Sequence, residues 1–148
     1  MAVLLAKHPE MQNYDMSVVR FLVCGGAPLS AELQEQVTRA LPNAEIGQSY
    51  GMTETCGAVT LFPLSRRLGT PGGAGMFMPG IRARIVKPDG TLAKPGEQGE
   101  LYVTCPSVTL GYHNNEKACV RFPFISVLRV IFYLQHSRDF YRWVRIIS

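Results

Sequence analysis

The residues with the clearest chemical potential are Gln48-Ser49-Tyr50-Gly51-Met52-Thr53-Glu54. Tyr50 offers an aromatic face on which a base can stack. Gly51 permits close approach of a ligand to backbone, Thr53 supplies a hydroxyl, and Glu54 supplies a hard carboxylate oxygen suited to Mg²⁺. A second stretch, Cys24-Gly25-Gly26-Ala27-Pro28, is built of small residues that let a flat ligand lie against bare backbone. Each has a plainer reading: a solvated Thr-Glu turn beside a core tyrosine, and a structural turn into a helix. Gly99-Glu100-Leu101 and Gly111-Tyr112-His113-Asn114-Asn115 read as a strand followed by a loop, with no chemistry to assign.

Both chemical stretches fall where strands should end. Residues 18–24 form a β-branched apolar run ending in Gly25-Gly26, the pattern of a buried parallel strand. Ser30 is placed to cap a helix with Glu32 in its first turn, Leu33, Val37 and Leu41 on one face and Pro42 as its stop. Residues 44–50 resume as a short strand. A strand–helix–strand unit of this length is the signature of a parallel sheet, and ligands of such sheets bind at the carboxyl ends of the strands. The two stretches are therefore expected at one edge of one sheet, which is more specific than either alone.

Beyond Gly51 the pattern changes. Residues 59–62 suggest a strand and residues 69–75 a glycine-rich loop. Residues 81–87 then pair with 100–104 across the Pro88-Asp89-Gly90 turn and the Pro95-Gly96 loop. Residues 1–7 read as the end of a helix closed by His8-Pro9, as though the fold began further upstream.

Composition narrows the function classes. The 148 residues are 47% apolar with 14 Gly and 10 Pro, a globular, turn-rich chain sufficient for one modest domain. The net charge of +4 is not a nucleic-acid face, because residues 1–118 hold ten Lys and Arg against ten Asp and Glu. The excess lies in residues 119–148, with five Arg against Asp139, no Gly, and seven aromatics from Phe122 to Trp143. Cys24, Cys56, Cys105 and Cys119 form no CxxC pair, and His8, His113 and His136 are scattered, which excludes a metal site by spacing. Reduced thiols in a cytoplasmic protein follow. No apolar run approaches the roughly 20 residues of a membrane span, and no signal peptide is evident.

The heptapeptide 48–54 resembles the adenine- and magnesium-binding motif of the adenylate-forming superfamily. Residues 23–29 (VCGGAPL) look like that family's preceding strand and turn. Residues 99–103 with 111–115 are similar to its next motif, and the three occur in the family's order and spacing across residues 1–118. Ala27-Pro28-Leu29-Ser30 and Met52 resemble most the branch of 4-coumarate–CoA ligases and acyl-CoA synthetases.

The resemblance implies a two-step reaction, in which a carboxylic acid is adenylated by ATP with Mg²⁺ and the acyl group then passes to CoA. It implies that Gly26, Ala27 and Pro28 back the adenine, and that Gln48, Ser49, Tyr50, Gly51 and Met52 line the nucleotide site. Thr53 would contact phosphate and Glu54 the metal, these two being the catalytic pair, while Gly26, Gly51 and Met52 border the acyl group. The implied fold is α/β: part of the doubly wound parallel sheet of the large domain in residues 1–75, and part of a β-rich subdomain in 76–118. Residues 119–148 are a divergent tail.

Departures from the pattern are equally informative. The family's phosphate loop with its Lys has no counterpart in residues 1–14, and its ribose-binding Asp, hinge and catalytic Lys do not follow Asn115. Cys105 stands where Gly is expected. Trp143-Val144-Arg145 faintly resembles a later family segment, and residues 119–135 read as translated non-coding or frameshifted sequence, against the rival reading of an aromatic partner-binding tail. The expectation is an internal piece of an acid–CoA ligase, inactive alone. A nucleotide-binding remnant and a protein-interaction fragment are the alternatives, and the peroxisome is an alternative compartment for a full-length parent.

Overall fold

The computed structural model describes residues 1–64, 67–121 and 128–130. The expectations for the tail, including the Trp143-Val144-Arg145 segment, lie almost wholly outside the described residues.

The chain opens with helix α1 (Ala2–Lys7), and Pro9 starts a short 3₁₀ turn (Pro9–Asn13). Strand β1 (Phe21–Cys24) leads through Gly25-Gly26 to helix α2 (Ala31–Ala40) and strand β2 (Glu45–Met52). A 3₁₀ turn (Thr53–Thr55) connects to β3 (Gly57–Leu61), followed by the two-residue β4 (Met76–Phe77). Strands β5 (Arg82–Val86) and β6 (Glu100–Thr104), helix α3 (Glu116–Arg121) and β7 (Leu128–Val130) complete the order. Strands β1 to β4 lie in that order in one sheet, and β5, β6 and β7 form a second. Among the described residues no helix is long and apolar enough to cross a membrane.

Contacts divide the chain into two compact units. One comprises Met1–Tyr50 and Leu61–Gly75, the other Gly51–Thr60 and Met76–Ser148. Residues 51–60 are grouped with the later part of the chain, and α3 runs across residue 118, where composition changes.

The first unit is the expected strand–helix–strand. β1 and β2 are parallel, with Phe21 opposite Glu45 and Cys24 opposite Gln48. Ser30 caps α2 by accepting the Leu33 N–H at 3.2 Å, which satisfies one of the open donors of the first turn. The apolar face of α2 buries Val37 and the following Leu41 completely, against Leu29, Ala44 and Ile46. Full burial of side chains of this size stabilises by about 1.5–3 kcal/mol each.

Two local expectations need correction. The strand begins at Phe21, not at residue 18, because the Asp15 carboxylate accepts the Ser17 N–H at 2.9 Å and the Val19 N–H bonds to the Met16 carbonyl. Residues 15–19 therefore form a turn. β1 is also not buried on both faces: Phe21 and Val23 remain 43% and 37% exposed. Phe21 nonetheless stacks on the buried Phe62, with ring centroids 5.3 Å apart.

The second unit is built on the antiparallel β5–β6 pair, in register from Arg82 opposite Thr104 to Val86 opposite Glu100. Alternation buries Ile85 from β5 and Leu101 and Val103 from β6, as period-2 patterning requires. The backbone of β7 adds antiparallel to β6, with Tyr102 opposite Arg129.

Candidate functional site

The first unit carries the carboxyl edge of the β1–β2 pair. Gly25 and Gly26 follow β1 directly, and Gly26 adopts φ +77°, a left-handed conformation costly for any residue with a Cβ. Gly26, Ala27 and Pro28 are exposed. On β2, one residue beyond the Cys24–Gln48 pair, Ser49 approaches this turn, its Oγ 3.4 Å from where a Cβ on Gly25 would stand. The structure therefore brings the small-residue turn and the strand end 48–50 to one edge, as the parallel topology requires. Tyr50 is half-buried at that end of the unit.

Gln48 sits within this edge but is turned inward and only 7% exposed. Its Oε1 accepts the buried Leu29 N–H at 2.5 Å, and its Nε2 donates to the Gly73 carbonyl at 3.3 Å. One amide thus ties the residues after the Gly25-Gly26 turn and the glycine-rich loop to β2. Cys24, at the end of β1, has its thiol pKa pushed up by burial, so it is held as the neutral thiol.

The second unit carries the remainder of the heptapeptide. β2 does not stop before Gly51 but runs to Met52. The close approach at Gly51 is met by the protein itself: a Cβ there would stand 2.3 Å from the Gly57 carbonyl oxygen. Thr53 and Glu54 occupy the first two positions of the 3₁₀ turn, Thr53 exposed and Glu54 half-buried. The turn is locked by Thr55, which is 1% exposed. Its hydroxyl lies 2.9 Å from the carbonyls of Met52 and Gly57, and 3.3 Å from the Met52 N–H.

A segment that chemistry alone did not single out closes over this turn. The Ser107 hydroxyl donates to the Thr55 carbonyl at 2.7 Å, and the Thr109 N–H donates to the Glu54 carbonyl at 2.8 Å. The Tyr112 hydroxyl donates to Glu54 Oε1. The buried Cys105, where Gly was expected, lies with its Sγ 3.5 Å from the Ser107 hydroxyl. Sequence reasoning missed Thr55, Ser107, Thr109 and Tyr112. Only Tyr112 carried a signal, since it stood inside a segment noted for its pattern.

The donor set bears on the metal question. Among the described residues no group of three or more His, Cys, Asp or Glu could hold a metal ion. Glu54 with the neighbouring Thr53 hydroxyl offers hard oxygens but only one carboxylate. That set fits Mg²⁺ carried on nucleotide phosphates, which takes one or two protein carboxylates and keeps its other ligands, and does not fit a resident metal.

The model of the AMP-binding enzyme family matches residues 1–113, and the chain belongs to that family. It is 39% identical over 119 residues to "Probable 4-coumarate--CoA ligase 1" of Dictyostelium discoideum, covering 79% of this chain and 21% of the relative. It is 40% identical over 110 residues to "Peroxisomal OPC-8:0-CoA ligase 1" of Arabidopsis thaliana, covering 72% of this chain and 20% of that one. The fold is similar to the crystal structure of the anthranilate CoA ligase AuaEII in complex with anthranoyl-AMP, with a TM-score of 0.74 and 25% identity, over 86% of this chain and 24% of that one. The chain thus spans about a fifth of the length of these curated relatives.

Proposed function

We propose that this chain supplies base-facing residues and metal-facing residues of an ATP-dependent acid–CoA ligase. In the first step a carboxylate oxygen of the acid attacks the α-phosphorus of ATP, and the bond to the bridging oxygen breaks to release pyrophosphate. In the second, the thiol of CoA attacks the acyl carbon and AMP departs. Gly26, Ala27 and Pro28 present bare backbone to the adenine, Tyr50 lies against the base, and Ser49 lines the same edge. Gln48 acts through its neighbours, fixing Leu29 and Gly73. Gly26 in the first unit, and Gly51 and Met52 in the second, are each assigned to the acyl group. Thr53 contacts phosphate and Glu54 receives the metal. When bound, Mg²⁺ supplies charge neutralisation at the phosphates.

The observation that carries this reading is the meeting of the Gly25-Gly26 turn with Ser49 at the carboxyl edge of a parallel pair, where α/β sheets take nucleotides. The relatives are about five times longer, so the complete reaction is proposed for a protein of that length. The 148 residues are proposed to bind nucleotide without turnover. The described cysteines Cys24, Cys56 and Cys105 are free thiols, in keeping with a cytoplasmic location; the peroxisomal relative makes that compartment the alternative.

Thermal unfolding with and without ligand tests the proposal. ATP with Mg²⁺ should raise the midpoint, since a ligand at about a hundred times its Kd stabilises by about 2.7 kcal/mol. Tyr50→Ala should lower that gain. An unchanged midpoint at millimolar nucleotide overturns the reading.

A further inference from the structure

We propose that Tyr112 is a positioning residue for Glu54, setting the carboxylate that meets the metal–nucleotide complex; the inference rests on the reading of Glu54 as the metal-facing group. The Thr53–Thr55 turn is one short turn, and a glutamate on it would ordinarily sample many rotamers. Here the segment from Ser107 to Tyr112 removes that freedom in order. Ser107 fixes the carbonyl of Thr55, the Thr109 N–H fixes the carbonyl of Glu54, and the Tyr112 hydroxyl then takes Oε1 of the same residue. The Tyr112 side is 38% exposed, so its ring is not placed there for burial alone. A phenol O–H has one proton to give. Given to Oε1, it orients the carboxylate plane and leaves Oε2, which accepts no hydrogen bond among the described residues, as the oxygen available to the metal. Partners of this outer kind commonly change metal affinity by about tenfold or more.

Tyr112→Phe removes only the hydroxyl and keeps the ring. It is compared, in the full chain, with Glu54→Gln and with the double variant, by calorimetric titration with Mn²⁺–ATP and with metal-free AMP. Tyr112→Phe is expected to weaken Mn²⁺–ATP binding about tenfold and to leave metal-free AMP within twofold. In the Glu54→Gln background it should have no further effect. Equal weakening of both ligands would make Tyr112 a structural tether and overturn the proposal. An unchanged Mn²⁺–ATP affinity in Tyr112→Phe beside a weakened one in Glu54→Gln would overturn it while the reading of Glu54 stands. Unchanged affinity in Glu54→Gln would sink that reading, and the proposal with it. Ligand-free thermal unfolding provides an independent arm. The two single variants share one contact, so the double variant should melt no lower than the less stable single, and a fully additive loss overturns the proposal even where no nucleotide binds.

Discussion

Replacing Gln48 by Ala removes the acceptor of the buried Leu29 N–H and the donor to the Gly73 carbonyl. Leaving a buried donor unsatisfied should cost about 1–3 kcal/mol in urea unfolding. The residue type was legible as a polar side chain at a strand end, but its partners were not, since they stand 19 and 25 residues away. The same limit hid Tyr112, which reaches Glu54 across 58 residues. Local chemistry fared better. The Pro88-Asp89-Gly90 turn was readable, and its carboxylate accepts from the Thr91 hydroxyl at 2.6 Å and the Thr91 N–H at 2.9 Å. These bonds hold the Asp89 pKa below the ordinary aspartate value. Because the folded pKa is the lower one, the contribution is present above the unfolded pKa and is lost as pH falls through the folded one. Asp89→Asn should therefore flatten part of the acid limb of stability against pH, and a side-chain NMR titration should place the Asp89 midpoint below that of an unstructured aspartate.

Elements were most legible where one periodicity and one cap agreed, as in α2. There Ser30, Val37 and Leu41 each take the position that spacing assigns them. Leu41→Ala should cost about 2–5 kcal/mol, read from the unfolding midpoint, because the site is fully enclosed. Elements were misread where a neighbour decided the outcome. Residues 18–20 have strand propensity, yet the Asp15 and Met16 acceptors draw the adjoining backbone into a turn. Gly51 reads as the residue at which the strand ends, but β2 runs through it to Met52, and the Gly57 carbonyl leaves no room there for a side chain. Gly51→Ala is thus expected to force β2 and β3 apart locally at a cost of about 1–3 kcal/mol, and to shorten amide-exchange protection of residues 51–57. Normal stability in that variant would show the approach to be loose.

For the whole molecule, the net charge was a misleading guide until it was mapped, since the surplus lies entirely within residues 119–148. The parallel strand–helix–strand and the β5–β6 pair were both visible as patterns. The contacts of Ser107, Thr109 and Tyr112 with residues 54 and 55 were not, because these partners are distant in sequence. The central claim is that nucleotide lies against the Gly26–Pro28 turn and the strand end at Tyr50. Photo-crosslinking with an azido-adenine ATP analogue, followed by tryptic peptide mapping, tests it most directly. Label on peptides 21–39 and 40–66, removed by excess ATP, is the predicted result. Label confined to peptides outside these two, or not displaced by ATP, would contradict the assignment.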